Sequence, residues 1–341
     1  MKFISQEDVA EIFKGNADAL FEVVEDAFLK YLHGSVLFPD KISQIFDLKT
    51  QNRINCMPAT LLGDDMVCGM KWVSVFPTNA SQGVQNVTGI MVLSEINKGF
   101  PIAVIDGTLA TKMRTSAVGC VAARYLAPSK VETVGIIGSG EEARMHFALL
   151  KHLFPTIKEC RVSSRSAAGE EAFVAKFKDI TTDVKFMTCG NDSHKCASGA
   201  DIIVTAISGQ APVLKAKDIT KGSLYIHVGG WEDEFEVALK AKKIVCDDWE
   251  ASKHRTQTIC RMYKEGILKD HDIYANLSDL ISGRKEGREN DDEFIYFNSV
   301  GLSYIDLNFA NYIYKEAVKR GLGKDVVLAE DNMVDYAALI Y

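Results

Sequence analysis

A chain of 341 residues, 47% hydrophobic and 25% charged, is longer than one ordinary core supports and predicts a globular protein of two domains. A net charge of −7 with scattered Lys and Arg excludes a basic surface for nucleic acid, so no nucleic-acid partner is expected. No apolar run approaches the ~18 residues of a membrane span, the start MKFISQEDVAEIF has no signal-peptide core, and eight cysteines form no C-x-x-C pair, so a cytoplasmic protein with reduced thiols and no membrane partner is expected.

Ser5, with Asp8 three residues on, is a capping-box-like helix start. Val9, Ile12, Phe13, Leu20, Val23, Val24, Phe28 and Leu32 supply an apolar stripe to about His33, divided into two helices at Gly15-Asn16. Beyond Gly34 the pattern alternates. Strands are predicted over 53–59 and 70–76, and a hairpin over 89–94 and 102–106. Residues 111–126 read as a largely buried helix, ended by Pro128. Arg53, Lys71 and Arg114 stand in these apolar or alternating settings. A buried cation is costly without an anion beside it, so each implies a structural salt bridge or a bound carboxylate.

Val134 to Ile137 then reads as a short buried strand, followed directly by Gly138-Ser139-Gly140-Glu141-Glu142-Ala143 and a helical pattern over 144–150. In a strand, turn and helix context, G-x-G-x-x-A predicts dinucleotide binding. Gly138 permits the tight turn, Gly140 lets backbone N–H groups approach a pyrophosphate, and Ala143 allows close helix–strand packing. The pyrophosphate sits on the positive end of the helix.

Further strands are expected at 160–166 (with its exit loop), 184–187, 201–206, 224–229, 243–248 and 293–297, with a helix over 167–177. The segment after Asp248 reads as helical and polar, and a long helix runs from Ser299 to about Arg320. This alternation defines an α/β fold with a Rossmann doubly wound parallel sheet. At the exit of the second strand an NAD site usually carries Asp or Glu; here stand Ser164, Arg165 and Ser166. Hydroxyls and a guanidinium suit a 2′-phosphate, so NADP(H) is expected in preference to NAD(H). The seven histidines show no metal-ligand spacing and no metal is expected; His227 alone lies near the nicotinamide edge. No G-x-S-x-G elbow is present, which removes the serine hydrolases that use one.

Arg53 in R-x-x-x-M-P-A, Gly69-Met70-Lys71-Trp72-Val73-Ser74, Asp106-Gly107-Thr108, Met113-Arg114-Thr115-Ser116-Ala117, the glycine turn, Thr205-Ala206 and Ser299-Val300-Gly301 form an ordered set. Through it the whole chain resembles the ornithine cyclodeaminase/μ-crystallin family. The resemblance implies a Rossmann domain over 128–298 and a second α+β substrate-binding and dimerisation domain from 1–127 with 299–341, in a homodimer. It implies that Arg53, Lys71 and Arg114 hold a substrate carboxylate, with Met57 in the pocket wall and Lys71 also a proton-transfer group. Thr115, Thr205, Ala206, Val228, Gly229 and Ser299 then lie along the nucleotide, whose pyrophosphate is held by Gly138, Ser139, Gly140, Glu141 and Glu142.

Family members that cyclise ornithine carry an acid/base Asp where this chain has Trp231. Either Glu232 or Asp233 replaces it through a shifted loop, or the chain does not run that cyclisation; the second reading is preferred. Asp247-Asp248-Trp249 and the loop 287–293 look most like the N-(2-amino-2-carboxyethyl)-glutamate dehydrogenase branch, although that branch looks NAD-type at the second strand. The expectation is an oxidoreductase acting on the C–N bond of an amino or imino acid, of opine-dehydrogenase or imine-reductase type. A cyclodeaminase with bound NAD and a μ-crystallin-like NADPH-dependent binder are the alternatives.

Overall fold

The computed structural model describes residues 1–328 and 340; the remainder of the expected 299–341 segment lies outside the described residues. The first part of the chain forms β1 (Lys2–Ile4), α1 (Gln6–Phe13), α2 (Asp18–Leu32), β2 (Val36–Leu37), β3 (Ile42–Ile45) and β4 (Arg53–Leu61). It continues with β5 (Val67–Val75), β6 (Val87–Ser94), β7 (Pro101–Asp106) and α3 (Gly107–Leu126). Ser5 and Asp8 cap α1 reciprocally, and Gly15, at φ +71°, turns the chain toward α2.

The second part alternates: β8 (Thr133–Ile137), α4 (Glu141–Leu153), β9 (Glu159–Ser163), α5 (Ala167–Phe177), β10 (Lys185–Thr188), α6 (Ser193–Ala197), β11 (Ile202–Thr205) and β12 (Gln210–Leu214). Then come β13 (Leu224–His227), β14 (Trp231–Asp233), α7 (Phe235–Leu239), β15 (Lys243–Cys246), α8 (Trp249–Ser252) and α9 (Thr258–Lys264). β16 (Ala275–Asn276), α10 (Leu277–Ile281) and β17 (Ile295–Asn298) follow, and α11 (Ser303–Arg320) and β18 (Lys324–Asp325) return to the first part.

Eight strands of the second part form one sheet in the order β10-β9-β8-β11-β13-β17-β15-β16, parallel at every junction. The strand order reverses between β8 and β11. In such sheets ligands bind outside the carboxyl ends of the strands at that switch point.

The first sheet runs β18-β1-β7-β6-β5-β4-β2, with β3 also on β4. Its register sets Lys71 opposite Met57, and Arg53 four residues before Met57 on the same face, because side chains alternate with period two. α11 packs across β4 and β5 and against α2 and α3. One continuous apolar cluster joins these helices to β8, β9 and β17, with Phe13 stacked on Phe309 at 5.0 Å.

Three boundaries depart from the sequence pattern, each for a local reason. α3 begins four residues earlier than expected because Asp106 caps it, accepting from the N–H groups of Thr108 (3.2 Å) and Leu109 (2.8 Å). α11 begins at Ser303 rather than Ser299 because the backbone of 300–301 is held by a carboxylate instead and Gly301 is left-handed at φ +79°. The stretch after Asp248 is two short helices whose Ile259, Cys260 and Met262 are buried, so it is not a polar surface.

Candidate active site

Gly138 has φ +119°, and a Cβ there would lie 2.4 Å from the Ala206 carbonyl oxygen, so the turn between β8 and α4 admits only glycine without a shift. Gly140 is the N-cap of α4 and supplies no side-chain cap, and a Cβ on it meets no atom within 4 Å. The first N–H groups of a helix have no intrahelical acceptor, and those of α4 begin just past the carboxyl end of β8, at the switch point. Ala143 is fully buried. Exposed Glu141 pairs with Arg144 at 2.6 Å. These residues fit a dinucleotide pyrophosphate.

At the end of β9, Ser164 Oγ donates to the Ser166 carbonyl (2.9 Å), and Ser166 Oγ caps α5 by accepting from the Gly169 N–H (3.2 Å). Arg165 is exposed and has no carboxylate within ion-pair distance among the described residues. A carboxylate unnoticed in the sequence, Glu170, is buried under this loop. It accepts from the backbone of Ser164 (2.7 Å), Gly190 (2.9 Å) and Asn191 (3.3 Å), which fixes the loop from beneath. Ser139 faces the same loop, since a Cβ on Gly169 would lie 2.6 Å from its Oγ.

Two of the cations, Arg53 and Lys71, stand on one face of the first sheet, and Arg114 stands on α3, which packs against it. Lys71 Nζ is 2.7 Å from Asp306 Oδ2, and Arg114 Nε is 2.7 Å from Asp306 Oδ1. Asp306, on the inner side of α11, was not foreseen; it makes the salt-bridge half of the sequence argument true for two of the three cations. Arg53 has no such partner among the described residues: its Nη1 donates to the Gln51 carbonyl at 3.0 Å, and burial lowers its pKa. Burial and the nearby Arg114 push the Lys71 ammonium down to about 8, against the opposing pull of Asp306. Burial raises the Glu142 carboxyl to about 7, against the attraction of Arg114, Lys112 and Lys71. Glu142 therefore belongs to the cation pocket as well as to the first turn of α4. The backbone at Gly301 packs against the Arg114 guanidinium, where a Cβ would lie 3.0 Å from Nη1.

Thr205, Ala206, Val228, Gly229 and Ser299 lie at the carboxyl ends of β11, β13 and β17, and Thr115 is half-buried on α3 beside Arg114. The N–H groups of Val300 (2.6 Å) and Gly301 (3.1 Å) donate to Asp247, whose pKa burial raises to about 6.

Glu232 and Asp233 are not brought to the cations. Both are fully buried on β14. Glu232 accepts from Thr205 Oγ1 (2.7 Å) and from the N–H groups of Ile207 (2.7 Å) and Gly229 (2.9 Å), tying the exits of β11 and β13 together. Asp233 accepts from Thr258 Oγ1 (2.7 Å), Tyr296 (3.1 Å) and Tyr225 (3.3 Å) in the core on the far side. Glu232 thereby braces the loops at the ends of β11 and β13, whereas Asp233 Oδ2 has no hydrogen-bond partner among the described residues and burial raises this carboxyl to about 6. His227 sits between them, its Nε2 3.5 Å from Asp233 and 3.7 Å from Glu232, and is also fully buried. The Trp231 ring is instead covered by the Arg261 guanidinium at 4.6 Å.

Comparison with known proteins places these features in a family. The model of the ornithine cyclodeaminase/mu-crystallin family matches residues 2–321. An alanine dehydrogenase of Archaeoglobus fulgidus is 31% identical, over 95% of this chain and 97% of its own length. An N-((2S)-2-amino-2-carboxyethyl)-L-glutamate dehydrogenase of Staphylococcus aureus is 25% identical, over 95% and 97%. Among solved structures, the Thermococcus litoralis Delta(1)-pyrroline-2-carboxylate reductase in complex with NADH and L-proline superposes with a TM-score of 0.89 at 28% identity, covering 96% of this chain and all of that one. An archaeal alanine dehydrogenase dimer with bound NAD gives 0.85 at 28%, covering 96% and 99%.

Proposed function

The chain belongs to the ornithine cyclodeaminase/mu-crystallin family, and from that premise we propose that it is an NAD(P)-dependent oxidoreductase acting at the nitrogen-bearing carbon of an amino or imino acid. The reaction is of opine-dehydrogenase or imine-reductase type, as in the named dehydrogenases and reductases it resembles. The observation that carries the reading is the charge count where α3 meets the first sheet: Arg53, Lys71 and Arg114 with a single ion-paired carboxylate among the described residues, Asp306, between two of them. Glu142, raised to about 7, is only partly ionised and makes no ion pair with them; Arg53 is left without an anion, and a substrate carboxylate supplies it.

The nicotinamide, when bound at the switch point, supplies or accepts the hydride. Arg53 and Arg114 orient the substrate by its carboxylate, and charge-assisted hydrogen bonds fix the carbon to be reduced. Lys71, depressed to about 8, donates a proton to nitrogen when an imine is reduced and removes one when an amine is oxidised. Asp306 holds Lys71 toward the pocket and keeps it from losing its proton altogether. Arg53→Ala tests the reading: it should abolish turnover of carboxylate substrates while nucleotide affinity, read by NAD(P)H fluorescence, stays within about twofold. Loss of nucleotide binding instead, or full activity, rejects it.

The exposed Ser164-Arg165-Ser166 loop supports preference for NADP(H) over NAD(H). A homodimer is supported by an apolar row on the outer face of the first sheet. Ile42 pairs with Cys56, Cys56 with Trp72 and Trp72 with Ile90, and Ile42 and Ile90 are 61% and 43% exposed. Sedimentation of Ile90→Lys against the parent chain tests it. All eight cysteines are free thiols and no helix among the described residues is long and apolar enough to cross a membrane, which supports a cytoplasmic location.

A further inference from the structure

Two more cations, Lys41 and Arg255, stand near this cluster, and neither has a role in the reading above. Lys41 immediately precedes β3, whose Ser43 and Ile45 pair with Asn55 and Arg53. Continuing that register puts Lys41 beside Met57, on the row that ends at Lys71 two strands away. With strands about 4.8 Å apart, the Cα atoms of Lys41 and Lys71 lie about 10 Å from each other across the sheet. Arg255 comes from the loop between α8 and α9, at the carboxyl end of β15. Its Nε donates to the Ala251 carbonyl (3.0 Å), while its buried Nη1 has no partner among the described residues. The Lys41 ammonium makes no ion pair there either. Burial and the charges of Arg255, Arg53, Lys71 and Arg114 together push it down to about 7. Asp40 and Asp247 act on Arg255 from a distance, but neither comes within ion-pair reach.

We propose that Lys41 and Arg255 form a second carboxylate subsite, so that the substrate is an amino or imino acid bearing a second, distal carboxylate. This deepens the reading of Arg53, Lys71 and Arg114 as the clamp for the first carboxylate and rests on it. The arrangement of charges favours it. One substrate carboxylate balances Arg53, and Asp306 with the partly ionised Glu142 serves Lys71 and Arg114; Lys41 and Arg255 remain as half-buried cations with no ion-paired carboxylate among the described residues, Asp40 and Asp247 acting on Arg255 only from a distance. A carboxylate reaching along the row past Met57 meets Lys41, and Arg255 is near enough to act on that same ammonium. A guanidinium nitrogen kept free and buried is preorganised for an oxygen acceptor.

The test is calorimetric titration of the protein–NADPH complex, or the NADH complex if that binds tighter, with glutarate and with valerate at fixed ionic strength. Glutarate should bind at least about tenfold tighter than valerate. Lys41→Met and Arg255→Met should each bring glutarate to within about twofold of valerate, with NAD(P)H fluorescence titration confirming a folded site. Equal affinities in the parent chain, or a preference that survives both substitutions, overturns the subsite. Valerate binding that depends on Arg53 without any gain for glutarate overturns the subsite alone. Absence of binding by either acid overturns the carboxylate clamp as well.

Discussion

Lys71 Nζ and Asp306 Oδ2 are 2.7 Å apart, and both side chains are at most 2% exposed. The other oxygen of the same carboxylate takes Arg114 Nε. One acid from α11 thus holds a cation from the sheet and a cation from α3, and the pocket is assembled only when all three elements are packed together.

Removing that acid leaves two buried charges without a partner. Asp306→Asn should destabilise the fold by about 3–5 kcal/mol, measured by chemical denaturation, since breaking a buried pair exposes the survivors to their full desolvation penalty. With its anion gone Lys71 should also titrate lower, moving any pH limb it controls toward acid. Stability and pH profile both unchanged would mean that Asp306 does not govern the pair.

Lys71 sits near 8 because burial and Arg114 disfavour its charged form. Imine reduction needs the ammonium, so its rate should fall as pH rises through about 8. Amine oxidation needs the free amine, so its rate should rise over the same range. Lys71→Met should remove both limbs. The linkage to folding has a definite sign. Between about 8 and the ordinary 10.5 the folded chain binds fewer protons at Lys71 than the unfolded chain, so this group adds stability as pH rises through that window. Denaturation midpoints of the parent chain and Lys71→Met across pH 8 to about 10.5 check it.

Glu232 and Asp233 offer a contrasting case. If they are braces, Glu232→Gln should cost about 1–3 kcal/mol, because Gly229 N–H, Ile207 N–H and Thr205 Oγ1 share a poorer acceptor. The pH limb near 8 should stay in place. Disappearance of that limb in Glu232→Gln or Asp233→Asn, with stability retained, would return the acid/base role to β14.

What the sequence revealed was what is local. The glycine turn, the strand alternation that buries Lys71 and the hydroxyl-rich exit of β9 are readable because each is fixed by residues within a few positions. Asp306 is 192 residues from Arg114 and stands in a helix that is buried on most sides, so no spacing announces it. Lys41 lies in the FPDKISQ stretch, whose polarity suggests a surface loop, and only pairing with β4 turns it inward. The setting of the β14 carboxylates is illegible for the opposite reason: in sequence they adjoin Trp231, while Tyr225, Tyr296 and Thr258, spread from 8 to 63 residues away, draw Asp233 into the core.

Nucleotide choice rests on Arg165. A charge-assisted contact to a 2′-phosphate contributes about 1.5–3 kcal/mol, or roughly 10–100-fold in affinity. Arg165→Ala should therefore abolish a preference for NADPH over NADH while leaving NADH affinity unchanged, as read by fluorescence titration. Equal binding of both nucleotides to the parent chain would assign Arg165 to the solvent, and the β9 exit to an NAD-type ribose site.

The two glycines of the turn should fail differently. A Cβ on Gly138 would lie 2.4 Å from the Ala206 carbonyl oxygen, in a backbone conformation with φ +119°. Gly138→Ala must displace β11's exit or the turn, so about 1–3 kcal/mol of stability should be lost together with nucleotide affinity. A Cβ on Gly140 touches nothing within 4 Å and its backbone is extended, so Gly140→Ala should leave the melting temperature unchanged. The added methyl nevertheless stands where the first N–H groups of α4 would meet the pyrophosphate, and NAD(P)H affinity should fall by about tenfold or more. That separation of stability from binding is specific to a phosphate held on the helix end. A Gly140→Ala chain that melts normally and binds nucleotide normally would remove the pyrophosphate from α4, whatever the resemblance of the turn.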